Sequence, residues 1–358
     1  MKKSHTRITI KYCKIKSHSR TPQILNKHIL IIRLSSFGDV AMTVPIVSVF
    51  RQTYPEVKIT VLTTKFFSEL FNQTPNINFL YFEKKHKNIK GLVLLTNEIK
   101  NIKADYIIDL HNVIRTNIIN FFISPFNISK TSFFKLKKGR REKKRLIKGG
   151  KLKKLKTMHQ RYADVFTNLD LPLDLKKFNS YKKVKISNIN IDFQNFKNLI
   201  GIAPFAKHSC KEYSLTNILK IIDSIDQDTC IVLFGAPGDE QNKLEKISDK
   251  KQNVYSIAGK LSLSQEMAVI SNLDLMISMD SANGHIATLF GIKVISIWGA
   301  THPYLGYAPF GQPEGNSITV DLKKYPNIPV TIYGGNCPEN CIDAINSISP
   351  EKIISMIK

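Results

Sequence analysis

Long apolar runs are absent from this 358-residue sequence. No stretch of about 18 apolar residues occurs, so the sequence predicts no transmembrane helix. Residues 1–26 are basic and polar and lack the apolar block of a signal peptide. We expect these residues to form a disordered extension, or to lie upstream of the true translation start.

Cysteine is scarce: the chain has five, and most of them lie far apart. An odd and scattered set favours a reducing compartment over a disulfide framework. Cys337 and Cys341 have a C-x3-C spacing, but two further ligands and a histidine pair with zinc spacing are missing. We therefore interpret this pair as structural or incidental, and we expect neither a metal nor a cofactor.

Acidic residues are also few, since 28 Asp and Glu stand against 53 Lys and Arg, a formal net charge of +25. The imbalance is greatest in Lys130–Arg161, where 15 of 32 residues are Lys or Arg and Glu142 is the only acid. Such a patch suits nucleic acid, an anionic membrane surface or a phosphorylated lipid. A solvated basic helix or loop accounts for it equally well.

Short apolar strands alternate with helices along the whole chain, and 42% of its residues are hydrophobic. This pattern predicts two α/β domains with parallel sheets and right-handed crossovers, at 27–185 and 186–358. The last helix, Pro350–Lys358, is amphipathic, and its apolar stripe fits either half, so packing back on the N-terminal domain is one of two expectations. The expected strands are Ile29–Leu34, Val57–Leu62, Phe79–Phe82, Tyr106–Leu110, Leu199–Ala203, Thr229–Phe234, Val254–Ile257, Leu273–Ser278 and Val294–Trp298.

Two Rossmann-like halves leave a cleft between the carboxyl edges of their sheets, which suits an enzyme with two substrates. Neither half contains GxGxxG, so a dinucleotide-dependent oxidoreductase is disfavoured. In the first half a tight turn, Ser35–Asp39, follows the first strand. Proline is best tolerated in the first turn of a helix, so Pro45 predicts a helix from about Val44 and leaves Asp39 in a shaped loop.

The segment Leu273–Pro303 reads as strand, turn, helix, strand and loop. Small residues at Asp280–Gly284 feed the helix, so backbone N–H groups and the helix dipole are free to meet an anion. The sequence therefore predicts a pocket for a phosphorylated ligand at the carboxyl edge of the second sheet.

Together, Ile31–Pro55 and Asp280–Pro303 resemble glycosyltransferase family 9, the heptosyltransferase family of lipopolysaccharide core synthesis. The resemblance implies a GT-B fold and an inverting, metal-independent transfer from a nucleotide-diphosphate sugar. It covers roughly residues 27–355 in the family's order. Weaker matches lie between the two segments, at Asp109–Asn117, Lys138–Leu146, His159–Phe166, Pro204–Leu215 and Leu233–Glu240.

Asp39 is the candidate general base, because the family's base lies in the same Gly-Asp motif and inverting transfer needs a group that takes the acceptor's proton. From spacing alone, capping of the following helix is the more common role of such an aspartate. The resemblance also places the acceptor in the first half. We expect Ser36, Gly38, Arg115 and Arg140 to contact it, since arginine binds carboxylates and phosphates in a fork.

Lys211 follows the strand Leu199–Ala203 and is the candidate partner of the donor's diphosphate. The tryptophan and proline usual in the family after this lysine are absent, since Glu212, Tyr213 and Ser214 follow instead. Lys207 is therefore a rival for the role, and a solvated lysine is the ordinary alternative for both.

The remaining donor-binding candidates follow from the resemblance. Ser281, Gly284 and His285 would donate to phosphate oxygens, while Asp280 would order the turn or meet a sugar hydroxyl. Glu240, or Asp239 beside it, would bind the ribose or base; an acidic first helical turn is the alternative. A lone histidine at a helix start is more often a structural capping group. Thr301 and His302 are weaker candidates for the pocket lining.

The leading hypothesis is transfer of a heptose or related sugar from a nucleotide diphosphate such as ADP-heptose to a lipopolysaccharide core or lipid A acceptor. The partners are then the donor sugar, a phosphorylated lipid-linked saccharide and an anionic membrane surface, with the enzyme peripheral at the inner face of the cytoplasmic membrane. One alternative is a nucleic-acid-binding protein that uses 130–161, although no aromatics for base stacking are interleaved there and no nucleic acid is expected. The other is a non-catalytic family member.

Overall fold

The computed structural model describes residues 26–123, 131–187, 189, 191 and 193–357. These residues form two parallel sheets, one in each half of the chain. Most of the basic extension expected at 1–26 lies outside the described residues. The alternation of short apolar strands and helices therefore gives the α/β architecture that it predicts.

The first sheet has five strands in the order β3-β2-β1-β4-β5. Every neighbouring pair is parallel, and Ile31 of β1 is aligned with Val61 of β2 and Ile108 of β4. The edge strand β5 is short and half-buried and was not predicted from the sequence. The strands are β1 (His28–Ile32), β2 (Lys58–Thr63), β3 (Ile77–Tyr81), β4 (Tyr106–Asp109) and β5 (Ser132–Lys135).

Helices cover both faces of this sheet. The predicted start of a helix at Val44 is confirmed, with Pro45 in its first turn. A separate short helix precedes it and contains Asp39, so the expected loop at Asp39 is wrong. The helices of this half are α1 (Phe37–Ala41), α2 (Val44–Thr53), α3 (Lys65–Ser68), α4 (Ile89–Ile102), α5 (Ile114–Ile123), α6 (Arg140–Leu146) and α7 (Met158–Thr167).

The second sheet has six parallel strands in the order β11-β10-β9-β6-β7-β8. Five of its strands, β6 to β10, overlap the predicted ones, and the short edge strand β11 was missed. The strands are β6 (Asn198–Ala203), β7 (Thr229–Leu233), β8 (Val254–Ser256), β9 (Leu275–Met279), β10 (Lys293–Trp298) and β11 (Ser317–Thr319). The helices are α8 (Leu215–Asp223), α9 (Asp239–Ser248), α10 (Leu263–Ile270), α11 (Ala282–Leu289), α12 (Glu339–Ile342) and α13 (Pro350–Ile357).

The last helix, α13, packs on α8 of the second half. Ile353 of α13 is fully buried in the core of that half, and Lys293 Nζ donates to the Met356 carbonyl at 2.8 Å. Packing on the N-terminal domain is therefore corrected, because the apolar stripe of α13 is already covered by the second half.

One hydrophobic cluster runs through both halves, from Phe50 of α2 to Leu289 of α11. Tyr181, in the segment between the halves, connects them: its N–H donates to the Leu289 carbonyl at 2.7 Å, and its hydroxyl is 2.6 Å from Thr74 Oγ1. The halves therefore share a packed seam at one side of the cleft. In the described part of the chain, no helix is both long and apolar enough to cross a membrane.

Candidate functional site

A cavity of about 770 Å³ lies between the carboxyl edges of the two sheets. Strand ends and helix starts from both halves form its walls, as expected for parallel sheets that face each other. Eight of the predicted site residues line it: Ser36, Gly38, Asp39, Lys211, Glu240, Asp280, Ser281 and His285. Gly284, Arg115 and Arg140 are not among the lining residues.

Asp39 lies on the wall contributed by the first half, in the short helix α1. Its Oδ2 is 2.6 Å from Arg33 Nη2 and accepts a hydrogen bond from Ser36 Oγ at 2.8 Å. The Asp39 side chain keeps 26% exposure, whereas that of Arg33 keeps only 4%. Arg33 and Ser36 thus fix the orientation of the Asp39 carboxylate, which stays accessible from the cavity.

The electrostatics of this wall keep Asp39 ionised. Burial alone would raise the pKa of Asp39, but the charge of Arg33 and the hydrogen bond from Ser36 outweigh it, and the pKa falls below its usual range. A buried guanidinium that pairs with a carboxylate is a strong, oriented partner. Asp39 is therefore an anion with a defined orientation at neutral pH.

Arg33 is a site residue that the sequence reasoning missed. It follows β1 directly, its Nη1 donates to the Leu110 carbonyl at 2.7 Å, and its backbone N–H donates to the Leu62 carbonyl. The signal was present in the sequence, because an arginine at the end of an otherwise apolar buried strand needs a partner. Its partner lies only six residues further on, at the start of the neighbouring helix.

Helices α1 and α11 bring the two halves into contact at Gly38 and His285. A Cβ at Gly38 would lie 3.2 Å from His285 Cδ2, so a side chain there would require the His285 ring to shift by a few tenths of an ångström. Burial lowers the pKa of His285 to about 4, with Asp280 and Asp39 acting in the opposite direction. His285 Nδ1 is buried and accepts or donates no hydrogen bond within the described residues. His285 is therefore a neutral imidazole at the cavity wall.

Lys211 forms an ion pair with an aspartate of the same half of the chain. Its Nζ is 2.9 Å from Asp280 Oδ2, both side chains are 12% exposed, and the same oxygen accepts a hydrogen bond from Thr301 Oγ1 at 3.0 Å. Lys207 lines the cavity too, but it is exposed and no ion pair in the described chain uses it. Of the two lysines, Lys211 is therefore the one held in a fixed position.

The start of α11 forms the floor beside this pair. Ser281 precedes the helix, and its hydroxyl lies 3.1 Å from Ser278 Oγ. Gly284 is buried instead of lining the cavity: a Cβ there would lie 3.3 Å from Ser278 Oγ and 3.4 Å from Val294 Cγ1. This glycine allows α11 to pack closely on β9 and β10, and the expectation that Gly284 binds the donor stays a prediction.

Glu240 lies in the first turn of α9, where Oε2 accepts a hydrogen bond from the Ala236 N–H at 2.7 Å. It lines the cavity, whereas Asp239 does not. His302 and Thr301 also lie outside the lining: Thr301 holds Asp280, and His302 caps the following turn through Tyr304 N–H. Glu240 is thus the better placed of the two acidic candidates.

The described part of the basic segment is not one continuous solvated surface. Lys143 is fully buried, and its Nζ donates to the Tyr307 hydroxyl of the second half at 2.8 Å. Arg161 is buried and pairs with Glu142 at 2.7 Å. Burial lowers the pKa of Lys143 to about 7. Lys143 therefore joins the two halves, and Arg161 joins two parts of the first half, instead of facing a partner.

The two arginines assigned to the acceptor lie at the margin of the first half. The Arg115 guanidinium stands over the Phe82 ring, 4.9 Å from its centroid, and Arg140 Nη2 donates to the Asn112 carbonyl at 3.2 Å. Lys138 is closer to Asp39: it is half-buried, and burial together with the charge of Arg33 lowers its pKa to about 8. Lys138 is thus a half-buried cation near Asp39, although it does not line the cavity itself.

The cysteines outside residues 1–25 are free thiols. Cys210 Sγ donates to the Gly334 carbonyl at 3.2 Å, directly beside Lys211 in the chain. Burial raises the pKa of the Cys337 thiol to about 12, and Cys210 beside it acts in the same direction. Cys337 is therefore a protonated thiol that lies beside Cys210.

The chain is similar to known glycosyltransferases. Residues 93–328 match the model of glycosyltransferase family 9 (heptosyltransferase). A lipopolysaccharide core heptosyltransferase, OpsX of Haemophilus influenzae, is 28% identical over 305 residues, which cover 82% of this chain and 84% of that protein. Lipooligosaccharide heptosyltransferase 2 of Campylobacter jejuni is 24% identical, covering 90% of this chain and 95% of the relative.

Solved structures agree in fold. A glycosyl transferase family 9 protein from Veillonella parvula has a TM-score of 0.69 at 20% identity, covering 93% of this chain and 97% of that one. The E. coli heptosyltransferase WaaC with ADP has a TM-score of 0.61 at 14% identity, covering 92% and 98%. The two parallel sheets that face each other are thus the two domains of a GT-B fold, and the chain belongs to glycosyltransferase family 9.

Proposed function

We propose that this glycosyltransferase moves a heptose from an ADP-heptose donor to the inner core or lipid A of a lipopolysaccharide, with inversion at the anomeric carbon. One observation carries the proposal. Asp39, held ionised by Arg33, lies on one wall of the cavity, and Lys211, Asp280 and the start of α11 lie on the other. A base and a phosphate site thus face each other across one cavity.

In the proposed reaction, an acceptor hydroxyl attacks the anomeric carbon of the donor from the side of Asp39. The Asp39 carboxylate takes the hydroxyl proton as the new C–O bond forms. The bond between the anomeric carbon and the diphosphate breaks, and the nucleoside diphosphate leaves with both electrons. A base and a leaving group on opposite sides of the anomeric carbon give inversion.

The leaving diphosphate gains negative charge as this bond breaks. Lys211 Nζ and the free N–H groups at the start of α11 supply positive charge on that side of the cavity, so we propose that no metal ion is needed. In the free enzyme Asp280 holds Lys211 in place. We propose that His285, which lines the cavity and is neutral, hydrogen-bonds the diphosphate.

The choice of donor rests on the relatives. The WaaC structure is described with ADP, and another with ADP-2-deoxy-2-fluoro heptose. Glu240 lines the same cavity and keeps one carboxylate oxygen free of the Ala236 N–H, so we propose that it meets the ribose or base. In the first half, Lys138, near Asp39, is the cation that we propose for an acceptor carboxylate or phosphate.

A thermal-shift panel tests this proposal. ADP-heptose and other nucleotide-diphosphate sugars are compared with matched nucleoside diphosphates, because a ligand at a hundred times its Kd stabilises a protein by about 2.7 kcal/mol. The proposal predicts the largest shift with ADP-heptose and transfer of the sugar onto a heptose-free core acceptor. A larger shift with a UDP- or GDP-linked sugar, and no transfer from ADP-heptose, would contradict it.

Because the proposed acceptor is linked to a lipid, we also propose that the enzyme lies at the inner face of the cytoplasmic membrane.

A further inference from the structure

Large apolar side chains are exposed at eight positions in the described residues. Two of them, Phe66 and Tyr333, line the cavity. The other six lie in one part of the first half, on α4, on α5 and at the end of β3: Tyr81, Ile89, Val93, Leu94, Ile114 and Phe121. This clustering sets them apart from scattered apolar residues, which are ordinary on protein surfaces.

The exposed residues of α4 and α5 share one surface. Both helices pack against each other and against the same face of the first sheet, where Leu95 and Ile119 contribute to one core cluster. Opposite that core, Ile89 and Val93 are one helical turn apart on α4, and Ile114 and Phe121 are two turns apart on α5. We call Ile89, Val93, Leu94, Ile114 and Phe121 the outer apolar face.

Cations surround the outer apolar face. Residues 84–103 contain six lysines and a single acid, Glu98, whose carboxylate is already paired with Lys85 at 3.1 Å. Residues 110–123 contain Arg115 and no acid. Lys135 Nζ donates to Asn117 Oδ1 on the exposed side of α5 at 2.9 Å. An apolar helical face with a cationic surround is the chemistry that lies on an anionic lipid surface.

This surface begins beside the acceptor wall of the cavity. The helix α5 follows β4, and His111 between them has Nε2 3.4 Å from Ser35 Oγ, next to the turn that carries Asp39. Ile114, 80% exposed, therefore lies at the same edge of the sheet as the proposed base. A lipid-linked acceptor could keep its acyl chains in the bilayer while its sugar reaches Asp39.

We propose that the outer apolar face is the surface by which this protein lies on an anionic bilayer, with Ile114 and Phe121 inserted into the headgroup region. The inference deepens the proposed function and rests on its lipid-linked acceptor. It adds a second membrane contact to the one expected for the basic segment, where Lys143 and Arg161 are buried but most of the other cations are exposed. It also explains why Ile114 and Phe121 are exposed on α5, a helix that contains no acidic residue.

Vesicle co-sedimentation of the full chain tests the proposal. The full chain should bind vesicles of phosphatidylethanolamine with phosphatidylglycerol and bind weakly to phosphatidylcholine alone. Ile114→Ser with Phe121→Ser should weaken binding to the anionic vesicles about tenfold or more, since apolar burial is lost. Lys87→Gln with Lys90→Gln should also weaken it about tenfold. No binding by the full chain, or equal binding to both vesicle types, would overturn the proposal.

Matched controls separate this surface from general effects. Phe66→Ser removes an aromatic with 50% exposure at the cavity, and Lys246→Gln with Lys250→Gln removes two charges from α9 and the residues after it. Both controls should bind vesicles like the unmodified chain. Ile89→Ser with Val93→Ser provides an independent variant on α4, in case changes on α5 impair folding. Losses as large in the controls as in the variants of the outer apolar face would overturn the proposal.

Two further readouts distinguish membrane binding from self-association and from donor binding. Light scattering that showed a dimer, broken by Ile114→Ser with Phe121→Ser, would assign the face to a second copy of the chain and overturn the membrane assignment. Stabilisation by ADP-heptose should be unchanged in this double variant. Vesicle binding without any donor binding would refute the proposed function while leaving the membrane surface in place.

Discussion

Arg33 holds Asp39 from behind, with its Nη2 2.6 Å from Asp39 Oδ2. The guanidinium is also tied to the Leu110 carbonyl, so its position is set by the first sheet and not by the cavity. The pair therefore gives Asp39 a fixed orientation, and it holds the pKa of this carboxyl below its usual range although burial acts the other way. Because its pKa is lowered, Asp39 is a weaker base than an ordinary carboxylate, but it stays ionised throughout the neutral range.

Arg33→Gln should move the acid limb of the pH profile of kcat/KM upward. Asp39 works as a base only when ionised, and removing the neighbouring charge leaves burial to raise its pKa, by about one to three units. Ser36→Ala should move the limb in the same direction but less, because it removes one hydrogen bond and no charge. The measurement is kcat/KM from about pH 4 to 8.

Arg33→Lys is the matched control, since it keeps the positive charge and loses the fork. Its acid limb should lie close to that of the unmodified enzyme, even where its rate is lower. An unmoved limb in Arg33→Gln would show that the ionisation of Asp39 does not govern the rate.

Lys211→Met should weaken donor binding while Lys207→Met should not. Lys211 is fixed by Asp280 on the diphosphate side, whereas Lys207 is exposed. Loss of a charged hydrogen bond costs about 1.5–3 kcal/mol, so the donor Kd should rise about tenfold or more. Calorimetry with ADP-heptose measures both variants. A larger loss in Lys207→Met would reverse the assignment of the two lysines.

His159 should make the protein less stable as the pH falls below neutral. It is buried beside Phe310 and His285, and burial lowers its pKa to about 3. The unfolded chain takes up this proton near its ordinary pKa of about 6.5 and the folded chain does not. The stabilisation is therefore complete above about pH 6.5 and is lost toward pH 3, by about 1.4 kcal/mol per pH unit.

His159→Phe should reduce that pH dependence, because the folded state no longer excludes a proton at this site. Its Nε2 has no hydrogen-bond partner among the described residues, so the replacement loses no bond there. The melting temperature should fall less between about pH 7 and pH 5 in His159→Phe than in the unmodified protein. An identical fall would contradict the account of this histidine.

Local sequence patterns predicted most of the fold. Buried parallel strands are continuous apolar runs, such as Ile29–Ile32 of β1, and they can be recognised without tertiary information. The edge strands Ser132–Lys135 and Ser317–Thr319 were missed because short, half-buried strands carry little of that signal. Helix α13 could not be assigned to a half, because its apolar stripe fits either.

The sequence predicted where the site lies better than it predicted which residues of the site contact each other. The segments Ser35–Asp39 and Asp280–Gly284, rich in small residues, located both walls of the cavity, since each follows a strand at the carboxyl edge of its sheet. The pair of Lys211 with Asp280 joins residues far apart in the chain, and no spacing encodes it. The burial of Lys143 against Tyr307 reverses the usual expectation for a lysine in a basic run.

The central claim is that Asp39 takes the acceptor's proton and does not hold the donor. Asp39→Ala tests it most directly, with turnover and donor affinity measured on the same protein. The account predicts a loss of kcat of about a hundredfold or more, with the calorimetric Kd for ADP-heptose nearly unchanged. A donor affinity that collapsed together with turnover, or turnover that survived, would contradict the account.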